Sequence, residues 1–204
     1  MKRILFAAAA AVLVFLLASC GSGMNKGELA EEYRALVEAS YEINEIYYGS
    51  GLPFRQNESV MAQLAGVAEG TQGFRVSYMP VDESARYQTE EEIRTAAAAV
   101  YSPSMCEHLN KLGFEGIRDE STDTLVSFAR FIEQDGVLTV RIDLAEESLP
   151  MGRTYDFDSM IVIADEKNRV RAEFQSYMDG KPSDKVKITI VRTADGWRLD
   201  SPTY

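Results

Sequence analysis

The sequence contains very few of the side chains on which disulfide frameworks, metal centres and nucleophilic active sites are usually built. Its 204 residues include two cysteines, one histidine and one tryptophan. Two cysteines allow at most one disulfide, so a fold held by a disulfide framework is excluded. One histidine leaves too few nitrogen and sulfur ligands for a typical zinc site, and no metal or cofactor site is predicted.

Basic side chains are also scarce. The chain has 21 lysines and arginines against 32 aspartates and glutamates, a formal net charge of -11. Nucleic-acid binding depends on a basic face that neutralises phosphates, so this balance argues against a nucleic-acid partner. The hydrophobic content of 46% is ordinary for a globular chain and argues against disorder.

The amino terminus has the pattern of a secretory signal. Lys2-Arg3 precedes an apolar run from Ile4 to Ala18, which matches the charged and hydrophobic regions of a signal peptide. A membrane-spanning helix needs roughly 20 apolar residues, more than this run supplies. We therefore predict that residues 1–19 are a signal peptide.

The residues that end this run resemble a known processing site. Leu17-Ala18-Ser19-Cys20 resembles the lipobox of bacterial lipoproteins, whose cysteine is diacylated, typically with palmitate, before cleavage on its amino side. The resemblance implies lipidation of Cys20, a mature chain of 185 residues with a net charge of -13, and attachment to the extracytoplasmic face of the cell membrane. Two acyl chains meet the requirement for stable anchoring. Residues 20–27, rich in Gly and Ser, are predicted to be a lipidated flexible tether.

Cys106 and His108 are the remaining candidates for nucleophilic chemistry. They stand two residues apart in a predicted helix, where their side chains point in different directions. We interpret Cys106 as a buried structural residue and assign no catalytic residue.

Three helices are predicted before residue 113. Apolar residues recur with helical spacing from about 28 to 48. Thr89 and Glu92 form a capping-box pattern at the start of a helix over 89–101. Ser102-Pro103 begins a third helix, which we expect Gly113 to end.

After about residue 123 the pattern alternates, which is typical of strands. Asp135-Gly136 and Asp195-Gly196 indicate hairpin turns. The predicted strands are 124–134, 137–144, 156–164, 169–178, 185–193 and 196–200. We therefore predict a single α+β domain over 28–204, with N-terminal helices packed on a curved antiparallel sheet of about six strands.

The order of elements and the closing Gly196-Trp197-Arg198-Leu199-Asp200-Ser201-Pro202 resemble the NTF2-like cone folds found among small secreted lipoproteins. A narrower resemblance rests on the Tyr-rich first helix with its Ile46-Tyr47-Tyr48-Gly49 end, the capped helix at 89–101 and the Asp200 to Tyr204 terminus. These features are similar to the lipoprotein relatives of the DL-endopeptidase inhibitor family of Gram-positive bacteria. That resemblance implies a protein inhibitor of cell-wall hydrolases.

Several strand residues are candidates for chemistry inside such a cone. An enzyme would need a paired acid or base, and the carboxylates and tyrosines on the strands are Asp143, Tyr155, Asp156, Asp158 and Tyr177.

Two further groups of residues are candidates for binding. Asp156 and Asp158 near Asp165-Glu166 do not have the spacing of a calcium loop, which favours solvated strand edges. Trp197 and Phe174 are predicted to lie in the core, and the acidic loop 145–158 is the best candidate for an interaction surface.

These observations predict a membrane-anchored extracytoplasmic lipoprotein that acts as a non-catalytic binding module of the cell envelope. Its predicted partners are the membrane, through the lipid on Cys20, and a basic secreted cell-wall hydrolase. The alternative is an NTF2-like small-molecule-binding protein or enzyme that uses the cone interior.

Overall fold

The computed structural model describes residues 22–56, 60–61, 76–123, 125–147 and 152–204, and the fold is α+β with antiparallel sheets. The helices are α1 (Lys26–Tyr47), α2 (Glu90–Val100), α3 (Pro103–Asn110) and α4 (Ile142–Glu147). The first six strands are β1 (Val60–Met61), β2 (Ser77–Pro80), β3 (Ile117–Arg118), β4 (Leu125–Ser127), β5 (Phe131–Gln134) and β6 (Val137–Arg141). The last four are β7 (Arg153–Glu166), β8 (Arg169–Met178), β9 (Lys181–Thr193) and β10 (Gly196–Leu199).

The described strands are divided among three sheets. The strand orders are β1-β2-β6-β5, β10-β9-β8-β7 and β3-β4. One curved sheet of about six strands, as expected from the sequence, is therefore not confirmed. The chain forms two compact units, the first containing residues 22–36 and 153–202 and the second containing residues 37–152 and 203–204.

Helix α1 forms where the sequence predicts it and contributes residues to both units. Asn25 caps its start, because the Asn25 side chain accepts hydrogen bonds from the backbone N–H groups of Gly27 and Glu28 at 2.9 and 3.1 Å. The buried stripe of the helix includes Tyr33 and Val37, both fully buried. The apolar periodicity of the sequence thus corresponds to one continuous buried face.

In the first unit, the β10-β9-β8-β7 sheet buries one face against the start of α1. Tyr33 anchors this packing, since its hydroxyl donates to the carbonyl oxygens of Val170 and Ile188 at 3.0 and 3.2 Å. Its ring meets Phe174 edge-on, with centroids 5.0 Å apart. Burial raises the pKa of Tyr33 well above its ordinary value. A neutral, hydrogen-bonded hydroxyl can therefore lie deep in this core.

The connections between the strands follow the turn signals of the sequence. The predicted Asp135-Gly136 turn joins β5 to β6, and both residues have positive φ angles of 54° and 75°. Gly196 lies in the predicted turn between β9 and β10 with a φ of 110°. Asp179-Gly180 is a third turn with two positive φ angles, and it lets β9 begin at Lys181 rather than at residue 185.

The second unit contains the β1-β2-β6-β5 sheet, the second half of α1, and helices α2 and α3. The capping box of α2 is confirmed: the Glu92 N–H donates to Thr89 Oγ1 at 3.2 Å, and the Glu92 carboxylate accepts from the Thr89 N–H. Ser102 caps α3 by accepting from the Met105 N–H, with Pro103 in the first turn. Local sequence signals therefore determine where both helices begin.

Two expectations for this unit are wrong. Gly113 does not end a helix, because α3 continues into a single π-helical turn over Lys111–Glu115. A Cβ atom at Gly113 would lie 2.6 Å from Tyr47 Cε1, so this glycine allows close packing. The predicted strand 137–144 ends at Arg141, where α4 begins. In Ile142-Asp143-Leu144 an acidic residue alternates with apolar residues, as in a strand. Over three residues this alternation does not distinguish a strand from a helix.

A buried polar network holds the C-terminal residues in the second unit. Thr203 Oγ1 lies 2.6 Å from Ser40 Oγ and accepts from the Asn44 amide at 2.8 Å. The Tyr101 hydroxyl donates to the Asn44 side-chain oxygen at 2.6 Å. Beside the network, the rings of Tyr48 and Tyr204 stack with centroids 3.9 Å apart.

Replacing Thr203 with valine keeps the side-chain volume but removes the hydroxyl shared by Ser40 and Asn44. Because buried polar groups then lose a partner, we expect Thr203→Val to lower the free energy of unfolding by about 1–3 kcal/mol. Urea denaturation measures the difference. The control is Thr154→Val at an exposed position of β7, where a change within about 0.5 kcal/mol is expected. Equal stability of the two variants would contradict the role of the network.

Candidate functional site

Among the described residues of the second unit, a small β-hairpin carries the most exposed large apolar side chain, Val126. Its strands β3 and β4 pair antiparallel, with Ile117 opposite Ser127. The side chains of Ile117 and Val126 are 40% and 62% exposed. Branched apolar side chains that stay exposed to water on a short strand pair do not stabilise the fold. Their exposure marks the hairpin as a candidate contact surface.

The turn and the base of the hairpin are held by specific local contacts. The Asp119 carboxylate accepts hydrogen bonds from the backbone N–H groups of Ser121 and Thr122 at 2.9 and 3.1 Å. The Arg118 guanidinium donates to the backbone oxygen of Asp123, which has a φ of 52°. At the base, Gly116 has a φ of 79°, and a Cβ there would lie 2.7 Å from the Ser127 carbonyl oxygen. Only glycine fits that position.

A groove of about 380 Å³ runs between the hairpin and the end of α3. Its walls combine apolar groups with charged side chains. The lining residues are His108, Lys111, Leu112, Glu115, Gly116, Ile117, Arg118 and Glu120. We call the groove and the hairpin together the hairpin groove.

The hairpin groove has surplus negative charge. Its two cations are already in ion pairs, Lys111 with Glu107 at 3.3 Å and Arg118 with Asp123 at 3.5 Å. Among the described residues, Glu115 and Glu120 have no ion-pair partner, and both are exposed. The exposed Ile117 lines the groove together with these carboxylates, so apolar and negatively charged groups lie on the same surface.

The negative charge of the protein is concentrated in the second unit. Residues 37–152 include 20 acidic and eight basic side chains, a net formal charge of -12. Residues 153–202 include nine of each, and residues 22–36 add only -1. Any attraction of a basic partner therefore acts mainly on the second unit.

Cys106 and His108 do not form a catalytic pair. Cys106 is half-buried rather than buried, and its thiol lies 3.6 Å from the Tyr101 carbonyl oxygen. His108 is exposed and lines the hairpin groove.

The candidate strand carboxylates have local structural partners. Asp143 receives two hydrogen bonds from the Arg141 guanidinium, at 2.7 and 2.6 Å. Partial burial opposes its charge, but the hydrogen bonds and positive charge of Arg141 outweigh this and lower the pKa of Asp143 below its usual value. Asp156 accepts from the backbone N–H groups of Asp158 and Ser159, which shapes a bulge in β7.

The aromatic candidates belong to the core or its margin. Phe174 is fully buried and Trp197 is 8% exposed, which confirms the prediction for both. Tyr155 is also buried, with its ring centroid 6.4 Å from that of Phe174, and Tyr177 is half-buried on β8. Asp143 belongs to the second unit, and the other four candidate acids and tyrosines belong to the first.

The acidic loop 145–158 is shorter than expected. Helix α4 includes residues up to Glu147 and β7 begins at Arg153, while residues 148–151 lie outside the described residues. Within the described ranges, no group of three or more His, Cys, Asp or Glu side chains is placed to hold a metal ion.

The predicted signal peptide at residues 1–19 and the lipidation site Cys20 lie outside the described residues. In the described part of the chain, none of the helices combines the length and the apolar character needed to cross a membrane.

The hairpin groove was missed by sequence reasoning. Strand β3 has two residues, too few to show a period, and the prediction placed the first strand of this region at residue 124. The Asp119 to Asp123 turn and Gly116 were the available signals, but they do not reveal that α3 continues to the base of the hairpin.

The geometry at Gly116 gives a direct test of the hairpin. Alanine there would require a left-handed φ and an overlap with a carbonyl oxygen, so Gly116→Ala should weaken the β3–β4 pairing. We expect a loss of more than about 1 kcal/mol in the free energy of unfolding, with faster amide hydrogen exchange at residues 117–127. Gly136→Ala is the matched control, because its φ is also positive but no atom lies within 4 Å of its Cβ position. Greater exchange in the control variant would contradict this account.

The ion pair of Asp143 predicts a dependence of stability on pH. Because folding lowers the pKa of this carboxyl group, its contribution is present above the unfolded pKa and disappears as pH falls through the folded pKa. Asp143→Asn should therefore destabilise the protein at pH 7 by roughly 1 kcal/mol or less, because the side chain is 45% exposed.

The difference between wild type and Asp143→Asn should vanish well below pH 3.8, the ordinary pKa of the group. Urea denaturation across this pH range measures it. Asp158→Asn, at an exposed position of β7, serves as the control. A difference that stayed constant with pH would show that the substitution acts through packing rather than charge.

Comparisons with known proteins do not place the chain in a family. No protein-family model matches the sequence, and no curated protein matches it significantly. The functional interpretation therefore depends on the residues and geometry described above.

Proposed function

We propose that the protein is a lipid-anchored binding module on the extracytoplasmic face of a bacterial cell membrane, and that it inhibits a basic secreted cell-wall hydrolase. In this proposal residues 1–19 are removed as a signal peptide and Cys20 carries the acyl chains. The supporting pattern is Leu17-Ala18-Ser19-Cys20 at the end of an apolar run. We also propose an NTF2-like arrangement for the α+β fold, on the basis of the helix-then-strand order.

The observation that carries the binding proposal is the hairpin groove in the acidic unit. Its lining joins the exposed side chain of Ile117 to the carboxylates of Glu115 and Glu120, which have no ion-pair partner among the described residues, and Val126 is exposed on the same hairpin. Interfaces gain most of their affinity from a few apolar or aromatic anchors, and charge complementarity adds association rate and specificity. A hydrolase surface with lysine or arginine around an apolar pocket is the complementary partner.

Membrane anchoring would increase the effect of such a surface. A lipid on Cys20 confines the protein to the same thin layer through which secreted hydrolases reach the wall, which raises the effective concentration of each for the other. A binding surface of modest affinity would then be sufficient for inhibition.

The direct test is digestion of isolated cell walls by the secreted cysteine endopeptidases of the host, with and without a soluble form comprising residues 21–204. We expect inhibition that saturates at a stoichiometric amount and weakens as salt concentration rises, because screening reduces the attraction of the acidic unit. Ile117→Ser, at the exposed isoleucine that lines the groove, should weaken inhibition by about five- to thirty-fold, the effect of losing roughly 1–2 kcal/mol at one anchor.

The matched control is Val137→Ser, at an exposed valine of β6 that does not line the groove. This variant should inhibit as well as the wild type. Unimpaired digestion by every enzyme tested would refute the inhibitor proposal, and equal losses in both variants would remove the hairpin groove from it.

A further inference from the structure

Strand β7 presents an exposed apolar segment at the edge of the first unit. Ile161, Val162 and Ile163 are 53%, 36% and 41% exposed. In the β10-β9-β8-β7 sheet, β7 is an edge strand, and no other described strand pairs with its free side. Edge strands usually avoid such apolar runs because they promote association, so this segment requires a partner.

The charges along β7 disfavour a second copy of the chain as that partner. Asp156 and Asp158 precede the apolar segment, and Asp165 and Glu166 follow it. Antiparallel pairing of two copies centred on Val162 would bring the carboxylates that precede the segment close to those that follow it. Like charges opposite each other destabilise a strand pair.

The chain from the predicted lipidation site reaches the structure beside this segment. The Ser22 N–H donates to Asp165 Oδ1 at 2.7 Å, and Ser22 is 9% exposed. Asp165 is four positions after Ile161 on the same strand, about 13 Å away at the usual rise per residue. Cys20 precedes Ser22 by two residues, which span at most about 7 Å.

We propose that the Ile161–Ile163 segment of β7 inserts into the interfacial region of the membrane that holds the lipid on Cys20. The inference rests on the proposed lipidation, because the acyl chains bring this edge of the first unit to the bilayer. The protein then lies against the membrane with β7 toward it, rather than standing away from the surface on a tether.

The two units differ in net charge, and four carboxylates flank the segment itself, Asp156, Asp158, Asp165 and Glu166. The first unit has a net charge of only -1 in residues 22–36 and 153–202, so an anionic leaflet repels it little. The exposed cations Lys167 and Arg171 lie in and beside the turn that follows β7. Residues 37–152 carry a net charge of -12, so the same leaflet repels the second unit more strongly than the first.

The test uses the lipidated protein, purified in detergent and reconstituted into vesicles of phosphatidylcholine and phosphatidylglycerol with acyl chains brominated near the headgroup. Val162→Trp places a fluorescent probe in the segment, and Val126→Trp places the same probe on the hairpin of the second unit. Unsubstituted protein, with its buried Trp197, supplies the baseline. We expect the tryptophan at position 162 to shift its emission to shorter wavelength and to be quenched, and the one at position 126 to do neither.

A second measurement requires no substitution. Amide hydrogen exchange at residues 159–164 should slow on vesicles relative to the soluble form comprising residues 21–204, since bilayer contact excludes water from the free side of β7. Exchange at residues 117–127 should stay unchanged. This comparison decides the question if the tryptophan variants do not fold.

Several results would overturn the inference. If the protein floats with the vesicles but position 162 is not quenched, the segment does not contact the bilayer, and equal quenching of positions 126 and 162 would show that contact is not specific to the segment. A concentration-dependent dimer of the soluble form that Ile161→Ser abolishes would assign the segment to a second copy. If the purified protein lacks the mass of acyl chains on Cys20, the proposed lipidation itself fails, and that result is separate from the quenching outcome.

Discussion

The fold depends on burial of one face along the whole length of α1. The apolar stripe of this 22-residue helix must be buried along its full length. Strands and helices of the first unit bury one part of it, and those of the second unit bury the other. Tyr33 is the anchor in the first unit, with its hydroxyl bonded to sheet carbonyls. Tyr47 lies near the other end, where Gly113 allows the π-helical turn to approach its ring.

The C-terminal end of α1 is held by a buried cation. The Arg130 guanidinium is 3% exposed and donates to the backbone oxygens of Tyr47 and Gly49. Positive charge at a helix C-terminus interacts favourably with the helix dipole. Burial lowers the pKa of Arg130 to about 10, which still leaves the group charged at neutral pH. Arg130 follows β4 and precedes β5, so the break between those strands places this cation at the helix end.

The proposed functions divide between the two units according to charge. The nearly neutral first unit contains the apolar edge at Ile161–Ile163 and the point where the chain from Cys20 enters. The strongly acidic second unit contains the hairpin groove. An anionic membrane favours a surface with little negative charge, whereas a basic protein favours an acidic surface. One chain can present both surfaces only if its charge is unevenly distributed. Two of the strand carboxylates that were candidates for catalysis have structural roles. Asp143 pairs with Arg141, and Asp156 shapes the bulge in β7.

Features that depend on neighbouring residues can be predicted from the amino-acid sequence alone. The capping box at Thr89 and Glu92, the Asp-Gly turns and the apolar stripe of α1 are local patterns, and each predicts the structure observed. The α+β class followed from the change of period near residue 123. The division of the described strands into three sheets, the role of Gly113 and the hairpin groove are visible only in the folded chain. Each of these arises from contacts between residues distant in sequence, such as Gly113 with Tyr47 and Arg130 with the end of α1. Such contacts leave no periodic signal, because their energy comes from close packing and burial rather than from local backbone preference.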